Sequence, residues 1–202
     1  MPIDFKNKIK FIHIPRTGGS SIENALSLFN KENLWENGFR FNEDGCRYAP
    51  QHITHRMMDK YYPITKEWFS FTLVRNPYEK IVSEYFYIHR HFKGRAITHF
   101  NENNFYEWLK NDVTKFDIDH KLPQNKFIDK PVDVIIKLEN IDIEWDKINN
   151  KLNTNYIIEH KNKSHKNDNT KYVLKQISKK TQNLIFEIYE NDFIKLNYDY
   201  NI

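Results

Sequence analysis

Residues 11–21 read F-I-H-I-P-R-T-G-G-S-S. An apolar run, Phe11 to Ile14, stops at Pro15. Gly18 and Gly19 follow, and Ser20, Ser21, Ile22 and Glu23 open a helix. The order is strand, tight loop, helix start. A helix N-terminus points unpaired N–H groups outward and carries partial positive charge. Glycines let an anion approach such a backbone closely. Arg16, Thr17, Ser20 and Ser21 add donors on the same arc, so the expected ligand is a phosphate or sulfate group. The loop is not a G-x-x-x-x-G-K-[ST] loop, because its glycines are adjacent and its cation precedes them. Nor is it a G-x-G-x-x-G fingerprint. A plain strand–helix turn, with glycines for geometry alone, is the competing reading.

A second stretch, residues 69–87, reads F-S-F-T-L-V-R-N-P-Y-E-K-I-V-S-E-Y-F-Y. Phe69–Val74 is a buried-strand candidate ending in Arg75. Asn76 suits an N-cap and Pro77 the first helical position. Ser83 lies two turns into that helix. A guanidinium at a strand's C-terminal end, beside a helix start, stands where open α/β sheets bind ligands. The competing reading makes Arg75 a solvated strand-end cation.

Together the two stretches resemble the sulfotransferases that use 3′-phosphoadenosine-5′-phosphosulfate. The likeness is greatest to the carbohydrate branch that includes heparan 2-O- and chondroitin sulfotransferases. Their first loop, typically H-I-P-K-T-G-G-T-S, holds the 5′-phosphosulfate, which implies cofactor contacts at Arg16, Thr17, Gly18, Gly19, Ser20 and Ser21. Their second, typically V-R-N-P-x-x-R-x-x-S-x-Y, holds the 3′-phosphate and implies Arg75 and Ser83. The likeness continues through His120-Lys121-Leu122-Pro123-Gln124, Val132–Glu139 and Tyr189–Phe193, so it spans nearly the whole chain. A basic loop near His160–Lys166 implies further cofactor contacts at Lys163 and Ser164. Two departures stand out. Arg16 replaces the usual Lys, a planar fork for a point charge. Lys80 replaces the second Arg, keeping charge without bidentate bonding.

Sulfuryl transfer to a hydroxyl needs an in-line donor, stabilised oxygens and a base. Arg16 fits the second role. Among nine histidines, His52 is the first choice of base, because it lies between the two motifs in Pro50-Gln51-His52-Ile53-Thr54. An unperturbed imidazole titrates near ~6.5, so activity is expected to rise through that range. His55 is the second choice. The family likeness implies an acceptor-side position for His120 and Gln124, and His55 is expected there too. His13 is expected to pack behind the loop with a hydrogen bond, and Glu139 to be a buried anchor paired with a cation or a helix terminus. No metal site is expected: His52 and His55 could share a helix face, but no third ligand is indicated.

Composition sets bounds. The 202 residues suffice for one domain, 1–202, with a real core, and aromatics at 15% supply it. A net charge of +4 favours an anionic ligand but is too small to indicate nucleic acid. The single cysteine, Cys46, forms no intrachain disulfide and reads as a bystander. The chain has no apolar run of about 18 residues, and Met1–Lys10 has no apolar signal core, which gives a cytoplasmic expectation.

Strand candidates Ile9–Ile14, Phe69–Val74 and Val132–Leu138 are apolar without alternation, as in a sheet covered on both faces. Helix candidates are Ser20–Asn30, Thr54–Tyr61, Pro77–His91, Asn104–Lys110, Ile141–Leu152 and Lys171–Leu196, the last breaking near Lys179–Thr181. Leu34–Ala49 and His160–Asn169 read as loops. The expected fold is α/β, a P-loop-like three-layer arrangement with a central parallel sheet flanked by helices. The expected function is a sulfotransferase with a carbohydrate acceptor, which the basic run from His89 to Arg95 would allow to be acidic. The expected donor is 3′-phosphoadenosine-5′-phosphosulfate, with adenosine 3′,5′-bisphosphate as product. A nucleotide-binding module without catalysis and a kinase-like phosphoryl transferase are the alternatives. The oligomeric state is left open.

Overall fold

The structure is a computed structural model that describes residues 2–28, 40–91, 99–158 and 170–201. Its centre is a four-stranded sheet built from β1 (Ile3–Asp4), β2 (Ile9–Ile12), β5 (Phe69–Val74) and β6 (Val134–Lys137), in the order β1-β2-β5-β6. β2 pairs parallel with β5, and β5 with β6. The expected central parallel sheet is there, with one added edge strand: β1 pairs antiparallel with β2. That short strand needs only a tight turn to reach its neighbour, whereas a parallel pair needs a crossover.

Side chains on a strand alternate between faces. Ile9 and Phe11 of β2, with Phe71 and Leu73 of β5, pack on one face against α1 (Gly19–Ala25), α5 (Ile141–Glu144) and α6 (Asp146–Leu152). Ile12 and Val74 face the other way, toward a hairpin of β3 (Phe41–Glu43) and β4 (Cys46–Tyr48) and toward α2 (His55–Tyr61). Helix layers on both faces explain the unbroken apolar strands. β6 forms the other edge of the sheet, and Ile135 there is 40% exposed.

A separate apolar cluster joins α3 (Pro77–His91), α4 (Glu102–Asn111), α7 (Thr170–Leu174) and α8 (Lys179–Lys195). The start of α3 follows its sequence: Asn76 Oδ1 accepts from the Tyr78 N–H at 2.9 Å, and Pro77 takes the first helical position. Thr54 caps α2 through the Met57 N–H at 3.2 Å. Ser178 caps α8, so the expected break in the last helix falls just before Lys179.

The expected loop Leu34–Ala49 contains the β3–β4 hairpin in its described part. Asp44 and Gly45 turn it, both with positive φ, as Asp-Gly hairpins require. From β4 of the hairpin, Arg47 N–H donates to the Asp117 carbonyl at 3.1 Å. This contact draws residues 117–119 alongside the turn Pro50–His52. No helix among the described residues is long and apolar enough to cross a membrane.

Candidate active site

The site forms where β2 and β5 end. After β2 the chain turns through Pro15 and Arg16, whose φ of 67° is left-handed. A non-glycine residue there is uncommon and is held by its surroundings. Gly18 follows at φ 90° and takes the N-cap position of α1. Gly19 is needed for space, because a Cβ there would fall on the His13 ring. The Thr17 hydroxyl is fully buried and donates to the Ile14 carbonyl at 2.9 Å, so this side chain braces the loop. Any contact of Thr17 with a ligand falls to its backbone. Ser20 is exposed at the first turn and Ser21 half-buried.

The Arg16 guanidinium crosses to α3. Its Nε and Nη2 donate to Ser83 Oγ at 3.2 and 2.9 Å, and it lies 4.6 Å above the Tyr87 ring. The two stretches singled out in the sequence thus meet through Arg16 and Ser83. Because Ser83 Oγ accepts both bonds, its own hydroxyl hydrogen remains to donate elsewhere. Arg75, directly after β5, donates from Nη1 to the Arg16 carbonyl at 3.4 Å. It also pairs with Glu79 one turn into α3, at 3.1 Å. Glu139 accepts from the Asn76 N–H at 2.6 Å and from the Tyr198 hydroxyl at 3.0 Å. The expected anchor on a helix terminus is there, but Glu139 is exposed rather than buried.

Three histidines come together beside this loop, each held by a carboxylate. His13 Nδ1 meets Glu23 of α1 at 2.8 Å, His52 Nδ1 meets Asp119 at 3.0 Å, and His120 Nδ1 meets Glu84 of α3 at 2.8 Å. The rings touch in series: His13 to His52 at 4.7 Å between centroids, and His52 to His120 at 5.0 Å. His120 stacks on Tyr87 at 5.2 Å and 11°, which returns the series to Arg16. A carboxylate on Nδ1 fixes which nitrogen carries the proton and leaves Nε2 for chemistry. His52 Nε2 has no hydrogen-bond partner among the described residues.

Burial pushes the His52 imidazole down to about 4, against the pull of Asp119, so it is neutral throughout the physiological range. Asp119 stays ionised: burial pushes its carboxyl up, but the bonds from His52 and from the Ala49 N–H outweigh that. For His120, burial pushes down, but the Glu84 and Asp119 carboxylates together push up by more, leaving it above the ordinary imidazole value.

His52, Asp119 and His120 also offer ligand atoms that all lie within 4.8 Å of one another. The third group missing from the sequence reading is therefore Asp119, 67 residues from His52. Its oxygens are engaged by Ala49 N–H, His52 and His120 N–H, and His120 Nδ1 by Glu84. The cluster reads as a hydrogen-bonded acid–base network.

Two residues expected on the acceptor side are placed elsewhere. His55 Nε2 lies 2.9 Å from the buried Lys10 ammonium, in a cluster with Asp59 that Lys130 also joins. Gln124 is fully buried, and its amide clamps the Arg75 backbone: Oε1 accepts from Arg75 N–H at 2.9 Å and Nε2 donates to Arg75 C=O at 2.7 Å. It positions Arg75 instead of facing a ligand. Lys80 is likewise buried, with Nζ donating to the carbonyls of His120 and Leu122 at 3.3 and 3.2 Å. Lys163 and Ser164 lie outside the described residues. Cys46 is buried, and burial pushes its thiol up to about 11, as suits a bystander. Asp119, Glu84 and Glu23 were missed, since nothing local in the sequence pairs a carboxylate with a distant histidine. Asp119-His120 beside Pro123-Gln124 was the one available signal.

No curated protein and no solved structure matches the chain. A family model described as "Sulfotransferase family" matches residues 2–199. That match covers the loop after β2, the Arg75–Ser83 segment and the Asp119–Gln124 turn alike, and the chain belongs to the sulfotransferase family.

Proposed function

We propose that the enzyme moves a sulfuryl group from 3′-phosphoadenosine-5′-phosphosulfate to a hydroxyl of a carbohydrate, with His52 as base. Membership of the family makes it a sulfotransferase. The donor and the acceptor class rest on the likeness of its two motifs to the carbohydrate branch. The observation that carries the reading is the buried Asp119–His52 pair set against the phosphosulfate-type loop through His13.

Arg16, the Ser83 hydroxyl and Arg75 supply donors that fit an anionic nucleotide. Arg16 neutralises charge on the sulfonate and bridging oxygens. Arg75 and Ser83 take the 3′-phosphate by charge-assisted bonds. His52 Nε2 removes the acceptor hydroxyl's proton as the new oxygen–sulfur bond forms. The bond from sulfur to the 5′-phosphate oxygen breaks, and that oxygen keeps the electron pair. Asp119 holds the ring and balances the imidazolium that results. No metal enters this scheme.

Calorimetric titration tests the donor. Adenosine 3′,5′-bisphosphate should bind at least about 10-fold more tightly than adenosine 5′-phosphate, since charge-assisted bonds contribute about 1.5–3 kcal/mol each. Arg75→Ala should erase most of the difference. Equal affinities in the unmutated protein would sink the assignment. Labelled donor offered to a panel of sugars and polysaccharides tests the acceptor.

A further inference from the structure

The transfer reading above leaves one part of the cluster without a task. Glu84 is 0% exposed, and its Oε1 has no hydrogen-bond partner among the described residues, while Oε2 is held by His120 Nδ1. A carboxylate buried with a single partner needs that partner's positive charge. His120 Nε2, by contrast, has no hydrogen-bond partner among the described residues. The ring lies between Tyr87, which carries Arg16, and His52. In this series of contacts His120 stands between Arg16 and His52, where a group passing from one to the other could meet its Nε2.

Resting on that reading, we propose that His120, held as an imidazolium by Glu84, donates its Nε2–H to a non-bridging oxygen of the sulfonate, making it a second catalytic cation beside Arg16. His120 gives up no proton: the acceptor oxygen gains sulfur and loses its proton to His52, and the 5′-phosphate oxygen leaves with its electron pair. Glu84 is the positioning residue. The groups facing His120 are Glu84 and Tyr87 from α3, the neighbouring Asp119, His52, and Arg16 from the loop. The Lys80 ammonium sits on its carbonyl. The two nearest carboxylates outweigh burial and the cations, in keeping with the raised imidazole.

The test compares affinity for 3′-phosphoadenosine-5′-phosphosulfate in the unmutated protein and in His120→Gln, by calorimetry, on both sides of the imidazole range. At acid pH the unmutated protein should bind about 10-fold more tightly, the worth of one charged hydrogen bond. At alkaline pH the two should converge, because the imidazolium is gone. A merely structural role would give no convergence. Affinity for adenosine 3′,5′-bisphosphate should be alike in both proteins, which also reports that the variant folds. Glu84→Gln should move the convergence to lower pH. If Glu84→Gln fails to fold, histidine-ring NMR of the unmutated protein takes its place. The resonance absent from His120→Gln should titrate above the ordinary imidazole value and shift on adding phosphosulfate. A constant affinity ratio across pH, or none, overturns the role of His120 while leaving the donor reading intact. Failure of the unmutated protein to bind phosphosulfate at all overturns both.

Discussion

His52 and His55 are three residues apart, both buried, and end in opposite surroundings. His52 points its Nδ1 at a carboxylate and joins a series of rings that ends at Arg16. His55 points Nε2 at the Lys10 ammonium, itself tied to Asp59 and to the Lys66 carbonyl at 3.2 Å. A ring held by an anion can take a proton and be relieved of its new charge. A ring held by a cation is occupied as an acceptor, and protonating it would set two positive charges against each other. The neighbour's charge, more than the residue type, decides which histidine can be a base.

The largest effect should come from His52→Ala, which is expected to cut transfer by ~10²–10⁴-fold with bisphosphate affinity nearly unchanged. His55→Ala should leave turnover per folded molecule near normal. The opposite result in a paired kinetic assay would break the comparison. Next in size is Asp59→Ala. It strands the Lys10 ammonium, which is 1% exposed, and should destabilise the fold by about 3 kcal/mol. Urea denaturation would read this, and the nucleotide affinity of the surviving folded protein should not move. Asp119→Asn should reverse that pattern, lowering turnover about 10²-fold by loosening the base, with a smaller change in urea midpoint.

A further effect concerns pH and is spread over several pH units. Burial lowers both His52 and His55 below their ordinary value, so below pH ~6.5 the unfolded chain takes up protons that the folded one refuses. For His52, stability is fully present above ~6.5, falls by at most about 1.4 kcal/mol per pH unit, and is lost as pH drops to about 4. His120, raised, works in the other direction, its share being lost as pH climbs through its folded value. His52→Gln should flatten the acid side of the stability curve. The acid limb of the rate profile should then lie near 4 rather than ~6.5, because the folded imidazole resists protonation. An unchanged acid slope in His52→Gln would show that the ring is not held neutral by burial.

Much of this was legible in the chain. Phe69–Val74 and Pro77–His91 were read to the residue, because an apolar run and an Asn-Pro start are local signals. The meeting of Arg16 with Ser83 was not, although both were named, since it depends on α3 packing back beside the loop after β2. The β3–β4 hairpin escaped because its strands are three residues long, too short for alternation to show. Gln124 was expected near the acceptor from its motif and Lys80 stands where the motif has an Arg, and only burial reveals that both clamp backbone. Spacing along a helix says nothing of Lys10, which comes from β2 to meet His55.

The Arg75–Glu79 pair bears on how long product stays. If Arg75 grips the 3′-phosphate, Glu79 already neutralises part of its charge at 3.1 Å and waits one turn away to reclaim it. Glu139, accepting from the Asn76 N–H just before the same helix, adds a second negative charge beside Arg75. On that reading both carboxylates would oppose an arriving phosphate, so the site would give up some affinity and shorten the residence time of the spent nucleotide. Where product release limits turnover, that weaker hold is a gain in speed.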